Sequence, residues 1–229
     1  MAESISVFCT NGVKEVVLEL FPDFERTNGA TIAVTYGPTV GIMNKIKDGA
    51  SADVYILTVE ALEDLAKQGK AAAGSRVDLA RSFIGVGVRA GTRHPDIGTV
   101  AAFKQSLLAA KSIAYSKLGL SGIYFPSVLE RLGITAEMKP KTMLTEGIPV
   151  GTAIARGDAE LGIQQISELL PVEGIEVVGP IPDELQKVTI FSVATAAAPR
   201  SPENARALTK FLANGFDPVL LEKRGLEAA

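Results

Sequence analysis

The sequence has no tryptophan, one cysteine and one histidine. Cys9 cannot form a disulfide within the chain, so cysteine usage does not distinguish a reducing from an oxidising compartment. At the end of a buried strand, Cys9 is more typical of a small apolar side chain than of a nucleophile. Together with His94 it cannot supply the nitrogen and sulfur ligands of a usual zinc site. Phosphate-loop and dinucleotide fingerprints are also missing, and we expect no cofactor.

Long apolar runs and blocks of like charge are missing too. No run approaches the roughly 18 to 20 residues of a membrane span, so we expect no membrane insertion. The formal charge of −3 is spread along the chain, which argues against nucleic-acid binding. The first residues, "MAESIS", lack the basic and apolar segments of a secretory signal. As written, the chain is expected in the cytoplasm, or in the periplasm if it is a trimmed mature form.

What is present is a regular alternation of strand and helix. The β-branched and aromatic residues before Cys9 predict a buried strand. From Val13 to Phe24 the apolar positions recur every three or four residues, as on one face of a helix. "TIAVTY" and "ADVYIL" predict the next strands, and Thr58 is the expected N-cap of a helix that ends at Gly69. This order predicts an α/β fold with parallel strands and right-handed crossovers.

The segment "RSFIGVGVRAG" is a longer predicted strand that interrupts this order. Alternation then resumes with a helix near residues 100–110, the strand "SIAYS", and a helix opened by Ser121 and Gly122. Two small sheets joined by crossing strands fit this pattern better than one long sheet. We expect a first lobe of residues 1–82 with 194–229, and a second lobe of residues 83–193.

Small, polar or glycine-bearing loops follow several predicted strands. In open α/β sheets, ligands bind beyond the carboxyl ends of the strands, where the free amides of helix starts favour anions. Taken singly, each loop has a simpler explanation; Asn11, for example, is expected to cap its own helix. Taken together they predict a binding site. The loops are Thr10–Gly12, Gly37–Thr39, Leu120–Gly122, Glu146–Ile148 and Gln164–Gln165.

The chain resembles the molybdate-binding type of bacterial solute-binding proteins over nearly its whole length. The resemblance is carried by "SISVFCTNGVKEVV", "VTYGPTVGIMNKIKDGASADVYIL", "SGIYFPSVLERLGI", "ARGDAELGIQQISEL" and the closing "PRSPENARALTKFLAN". It implies a two-lobed type II periplasmic-binding-protein fold, each lobe a small mixed, mostly parallel sheet flanked by helices, with a hinge. It also implies a ligand in the cleft between the lobes. The family's oxyanion ligands fall on Gly12, Thr39, Ser121, Ile148 and Gln165.

Two departures from the family pattern change the expected ligand. Gly12, next to Asn11, stands where the oxyanion binders carry a serine, and Gln165 stands where they carry a tyrosine. Carboxamides offer donors and an acceptor, so a larger organic anion such as a di- or tricarboxylate suits the lining better than molybdate. The expected ligand-binding residues are Thr10, Asn11, Gly12, Thr39, Ser121, Gly122, Ile148 and Gln165.

Chains similar to this family that carry an Asn-Gly corner in the first loop include an aconitate isomerase-like branch. Such an allylic proton shift needs a base, an acid and dipoles that stabilise the charge between them. Lys117, Tyr124 and Glu146 lie in or beside the predicted site loops and are candidates for moving protons. Each also has a structural alternative: a solvent-facing charge, a ring at the edge of the core and a first-turn acid, respectively.

The sequence thus leaves several functions open. The first expectation is a solute-binding protein for a small organic anion, with a membrane permease as partner. The alternatives are an isomerase in the same site, a molybdate or oxyanion binder, and a cytosolic ligand sensor. No metal or nucleic-acid partner is expected for any of them.

Overall fold

The computed structural model describes residues 4–229, so the start of "MAESIS" lies outside the described part. The strands are β1 (Ser4–Thr10), β2 (Thr31–Gly37), β3 (Val54–Thr58), β4 (Val77–Ser82), β5 (Ile84–Arg89), β6 (Ile113–Ser116), β7 (Thr142–Thr145), β8 (Leu161–Gln165), β9 (Ile175–Pro180), β10 (Thr189–Thr195) and β11 (Leu226–Ala228). The helices are α1 (Lys14–Asn28), α2 (Thr39–Lys47), α3 (Val59–Lys67), α4 (Val100–Ala109), α5 (Leu120–Arg131), α6 (Thr135–Met138), α7 (Val150–Arg156), α8 (Ile166–Leu169), α9 (Pro202–Gly215) and α10 (Pro218–Lys223).

The chain divides into two compact units. Residues up to Ser82 and from Thr189 onward form the first unit, and Phe83–Val188 form the second. The segment "RSFIGVGVRAG" is split at Phe83 between β4 and β5, where the chain passes from one unit to the other. The return occurs at Thr189 rather than at residue 194, because β10 pairs along its length with β3 and β4.

The first unit contains a sheet of order β11-β4-β10-β3-β1-β2. β1 runs parallel to β2 and β3, whereas β10 runs antiparallel to β3 and β4. The expected helix after β1 is present as α1, which buries Val16, Val17 and Phe24 and ends at Gly29 in the left-handed conformation. Parallel pairing therefore brings the carboxyl ends of β1, β2 and β3 to one edge of the sheet.

The second unit contains a sheet of order β7-β6-β8-β5-β9. β6 is parallel to β7 and β8, and β5 is antiparallel to β8 and β9. Ile163 on β8 packs in a cluster with Phe103 and Phe125 on one face, while Ile154 and Leu169 form a cluster on the other. The sheet is thus covered on both faces, and its parallel strands end at one edge.

The predicted mixed α/β class, with two sheets flanked by helices, is confirmed. Parallel and antiparallel strand pairs are about equally common, whereas mostly parallel sheets were expected. The antiparallel pairs arise where β5 follows β4 without a helical crossover and where β10 returns to the first unit. The predicted cap of α3 is also present, since Thr58 Oγ1 accepts from the Ala61 amide at 3.4 Å. Among the helices of residues 4–229, none is long and apolar enough to cross a membrane.

Candidate functional site

The first group of predicted residues lies at the carboxyl edge of the first sheet. Thr10, the last residue of β1, is in register with Gly37, the last residue of β2. Thr39 is the first residue of α2, and its Oγ1 lies 2.9 Å from Thr10 Oγ1, to which it donates. Both side chains are buried. Because one hydroxyl donates to the other, the Thr10 proton is available for a ligand atom at this edge.

Asn11 and Gly12 continue from β1 into a short 3-10 turn, Asn11–Val13, that precedes α1. Thr10 and Val13 occupy the N-cap positions, and neither makes a side-chain cap bond, so the expected capping by Asn11 was wrong. Among the described residues Asn11 makes no side-chain hydrogen bond, and it is partly exposed. Its carboxamide therefore keeps both donors and its acceptor for a ligand.

Gly12 is required by close packing. A Cβ at this position would lie 2.2 Å from Phe191 Cζ, and Phe191 is buried in the core. A serine at this position therefore does not fit unless Phe191 moves. The ring that occupies this space could not be identified from the sequence, because Phe191 lies on β10, far along the chain.

The second group lies at the carboxyl edge of the second sheet. Ser116, the last residue of β6, is in register with Thr145, the last residue of β7. Ser121 is buried in the first turn of α5, beside Gly122. A Cβ on Gly122 would lie 1.7 Å from the Ser116 carbonyl oxygen, so only glycine allows α5 to begin this close to β6.

Gln165 ends β8 at the same edge. It is buried and stands opposite Ile84, the first residue of the antiparallel β5. Ile148 is partly buried and lies in the loop between β7 and α7. Of the predicted residues in the second unit, Ser121, Gly122 and Gln165 are thus at one edge, with Ile148 on an adjoining loop.

Three further side chains at this edge carry a buried polar atom without a described hydrogen-bond partner. They are Thr145 through Oγ1, Gln164 through Oε1 and Ser167 through Oγ. Gln164 Nε2 also donates to Glu168 Oε2 at 2.9 Å. Burial raises the pKa of Glu168 to about 7, against the smaller opposing effect of the Gln164 hydrogen bond.

Sequence reasoning named Gln164 only as part of a loop and missed the other three residues. Their signal was present in the chain. Thr145 ends β7, and Glu168 follows Gln164 by four residues across the corner between β8 and α8.

The three proton-moving candidates are placed as follows. Lys117 Nζ and Glu146 Oε2 form an ion pair at 2.9 Å, and both side chains are more than half exposed. The Tyr124 hydroxyl donates to the Leu185 carbonyl at 3.2 Å and accepts from Arg131 at 3.3 Å. Each candidate therefore already has a partner within the second unit, and their catalytic role stays a prediction.

Thiol and metal chemistry find little support at these edges. Cys9 is fully buried, and burial raises the pKa of its thiol far above the usual range, so the unreactive thiol form prevails at neutral pH. In residues 4–229, no three His, Cys, Asp or Glu side chains are grouped to hold a metal.

Two helix-flanked sheets, each with small polar residues at its carboxyl edge, define a protein of the solute-binding class. The family model for bacterial extracellular solute-binding proteins matches residues 5–216, and the chain belongs to that family. A periplasmic molybdate-binding protein from Azotobacter vinelandii superposes with a TM-score of 0.77 over 98% of this chain and 99% of its own, at 19% identity. The substrate-binding domain of a molybdenum transporter from Clostridium difficile gives 0.75 over the full length of both chains, at 17% identity.

Two proteins are also similar to this chain in sequence. An aconitate isomerase from a Pseudomonas species is 37% identical over 98% of this chain and 87% of its own length. A molybdate-binding protein, ModA, from Azotobacter vinelandii is 30% identical over 66% of this chain and 60% of its own length.

Proposed function

We propose that this protein binds a tricarboxylate of the aconitate type and isomerises it by an allylic proton shift. The observation that carries the proposal is the lining of the two strand edges. Threonine hydroxyls and the Asn11 carboxamide lie at one edge, and Ser121 with two glutamines lies at the other. Similarity to an aconitate isomerase along almost the whole chain supports the same substrate class.

The lining suits carboxylates because hydroxyl and carboxamide groups donate to carboxylate oxygens without adding a charge of their own. The Thr10–Thr39 pair and Asn11 offer donors for one carboxylate. Ser121 and Gln165 offer polar groups for another.

The direct test is incubation of the pure protein with trans-aconitate in D2O, followed by proton NMR. Conversion to the cis isomer, or deuterium entering the substrate carbons, is the expected result. An unchanged spectrum with broadened ligand lines would instead indicate the second candidate, a carboxylate-binding protein that works with a membrane permease. Sharp, unchanged lines would argue against aconitate as ligand.

The second candidate is favoured by the Lys117–Glu146 ion pair, since two of the three expected proton-moving groups neutralise each other on an exposed surface.

Binding variants test both candidates together. Gln165→Ala and Thr39→Val should each weaken tricarboxylate affinity at least several-fold in calorimetry. Thr27→Val, which removes an exposed hydroxyl on α1, is the matched control and should leave affinity unchanged. An unaltered dissociation constant in Gln165→Ala would remove that residue from the site.

A further inference from the structure

We propose that Glu168 carries the proton in the isomerisation. This inference rests on the proposed function and adds a residue to it.

The corner between β8 and α8 fixes Glu168 in place. Gln164 Nε2 donates to Glu168 Oε2 at 2.9 Å across this corner. The Ile166 amide donates to the Phe83 carbonyl at 2.9 Å, and Ile166 packs directly over Gly85 of β5. A short helix held at both points keeps the carboxyl group beside the end of β8.

The surroundings of this corner are polar, buried and incompletely hydrogen-bonded. Thr145 Oγ1, Gln164 Oε1 and Ser167 Oγ have no partner among the described residues, and each side chain is at least nine-tenths buried. A buried polar atom without a hydrogen-bond partner destabilises the folded state. Gln164 Oε1 and Ser167 Oγ lie at the corner itself, whereas Thr145 Oγ1 lies at the end of β7, which β6 separates from β8. Ligand groups at this edge would complete these hydrogen bonds. Glu168, which is only partly buried, lies among the same elements.

The charge state of Glu168 suits proton transfer near neutral pH. Burial raises its pKa to about 7, and the Gln164 hydrogen bond opposes this by stabilising the carboxylate. The elements packed against α8 also carry Arg89 on β5, Arg156 on α7 and Glu176 on β9, and none of these contributes to the shift. Carboxylate and carboxylic acid are therefore both populated at pH 7, as a group that takes and returns a proton requires.

The proposed step balances without another reactant. The Glu168 carboxylate removes a proton from the substrate methylene group, and the electron pair of that C–H bond enters a dienolate. The double bond moves by one carbon, and the Glu168 carboxylic acid returns the proton to the carbon that was vinylic. Glu168 ends as the carboxylate. The hydroxyls of Thr145 and Ser167 are donors for the negative charge that develops on the substrate.

The test compares wild type, Glu168→Gln and Glu173→Gln with trans-aconitate in D2O. Glu173→Gln makes the same charge change at an exposed position in the turn after α8. We expect Glu168→Gln to lower the rate of isomerisation by about 10²- to 10⁴-fold, the range of general acid–base catalysis. Binding of tricarballylate, a saturated analogue that cannot isomerise, should change only a few-fold, and Glu173→Gln should match wild type in both measurements.

The outcomes separate the two proposals. If wild type isomerises aconitate and Glu168→Gln does so at the same rate, Glu168 is excluded while the proposed function stands. If wild type neither isomerises the substrate nor exchanges its protons, both proposals are overturned. If Glu168→Gln does not fold, Glu168→Asp replaces it. Its rate should be reduced and the inflection of its pH–rate profile should move away from pH 7, and an unmoved inflection would exclude Glu168.

Discussion

Gly12 lies in the loop after β1, where a side chain would overlap the hydrophobic core. The missing side chain is not a matter of backbone freedom, because the Phe191 ring would lie 2.2 Å from an added Cβ. Gly12 is therefore coupled to a phenylalanine on β10. A change of ligand class at this loop requires a change in the core beneath it.

Gly12→Ala should destabilise the protein by about 1–3 kcal/mol, as overpacking of a filled core typically does. Urea unfolding with Gly37→Ala as control measures this, because a Cβ on Gly37 meets only an ordinary contact at 3.6 Å from Ile42. In a Gly12→Ala background, Phe191→Leu should recover part of the loss. Equal stability of Gly12→Ala and Gly37→Ala would show that Phe191 moves without cost.

The start of α5 shows how one residue sets the position of a whole element. Gly122→Ala would place a methyl group 1.7 Å from the Ser116 carbonyl oxygen, so α5 must shift away from β6 and carry Ser121 with it. We expect lower stability in thermal unfolding and tricarboxylate affinity reduced at least several-fold. Gly41→Ala, in the first turn of α2, is the matched control, since its Cβ meets only Pro38 Cγ at 3.4 Å. If both variants bind alike, the close approach of α5 does not position the site.

α8 should also give the protein a measurable pH dependence. The pKa of Glu168 is about 7 when folded and is raised from 4.5, so the native state binds more protons than the unfolded state between these values. The contribution of Glu168 to the free energy of unfolding therefore falls as the pH rises from about 5 to 8. Glu168→Gln has no such titration, so its melting temperature relative to wild type should increase over this range. A constant difference between the two proteins would contradict the raised pKa.

Elements with strong periodicity could be predicted from sequence, and close contacts between distant elements could not. α1 follows from its apolar spacing, and the cap at Thr58 follows from local hydrogen bonding. A lobe boundary was expected at residues 82 and 83, but the split of the single predicted strand at Phe83 was missed because the residues on both sides of it form strands. The role of Asn11 was misjudged because whether an Asn caps a helix depends on the 3-10 turn in which it lies.

The same distinction applies to the candidate site. Parallel strands end at one edge of a sheet. The position of residues at strand ends was therefore enough to predict that Thr10 lies near Thr39, and that Ser121 and Gln165 lie at one edge. Burial was not readable from the sequence, and burial is what gives Glu168 its raised pKa. Proton-moving groups chosen by loop position alone were therefore exposed or already paired, as Lys117 and Glu146 are.

The sequence relatives of this chain include both a molybdate-binding protein and an aconitate isomerase. For the molecule as a whole, the class of ligand therefore does not follow directly from the fold. The residues at the strand edges decide between these ligands. We propose that carboxamides and a core-filled first loop favour an extended carboxylate over a compact tetrahedral anion. Stability in the presence of each anion compares the two classes directly.

Tricarballylate at about 100 times its dissociation constant should stabilise the native state by about 2.7 kcal/mol, since it binds the folded chain alone. For a protein of this size, that corresponds to a rise in melting temperature of roughly 5–10 °C. Molybdate at the same concentration should give a much smaller rise. Thr39→Val and Gln165→Ala should each reduce the tricarballylate effect, because each removes a polar group that we propose binds a carboxylate. A larger shift with molybdate would instead place this chain among the oxyanion binders, and a loss confined to one variant would remove the other residue from the binding site.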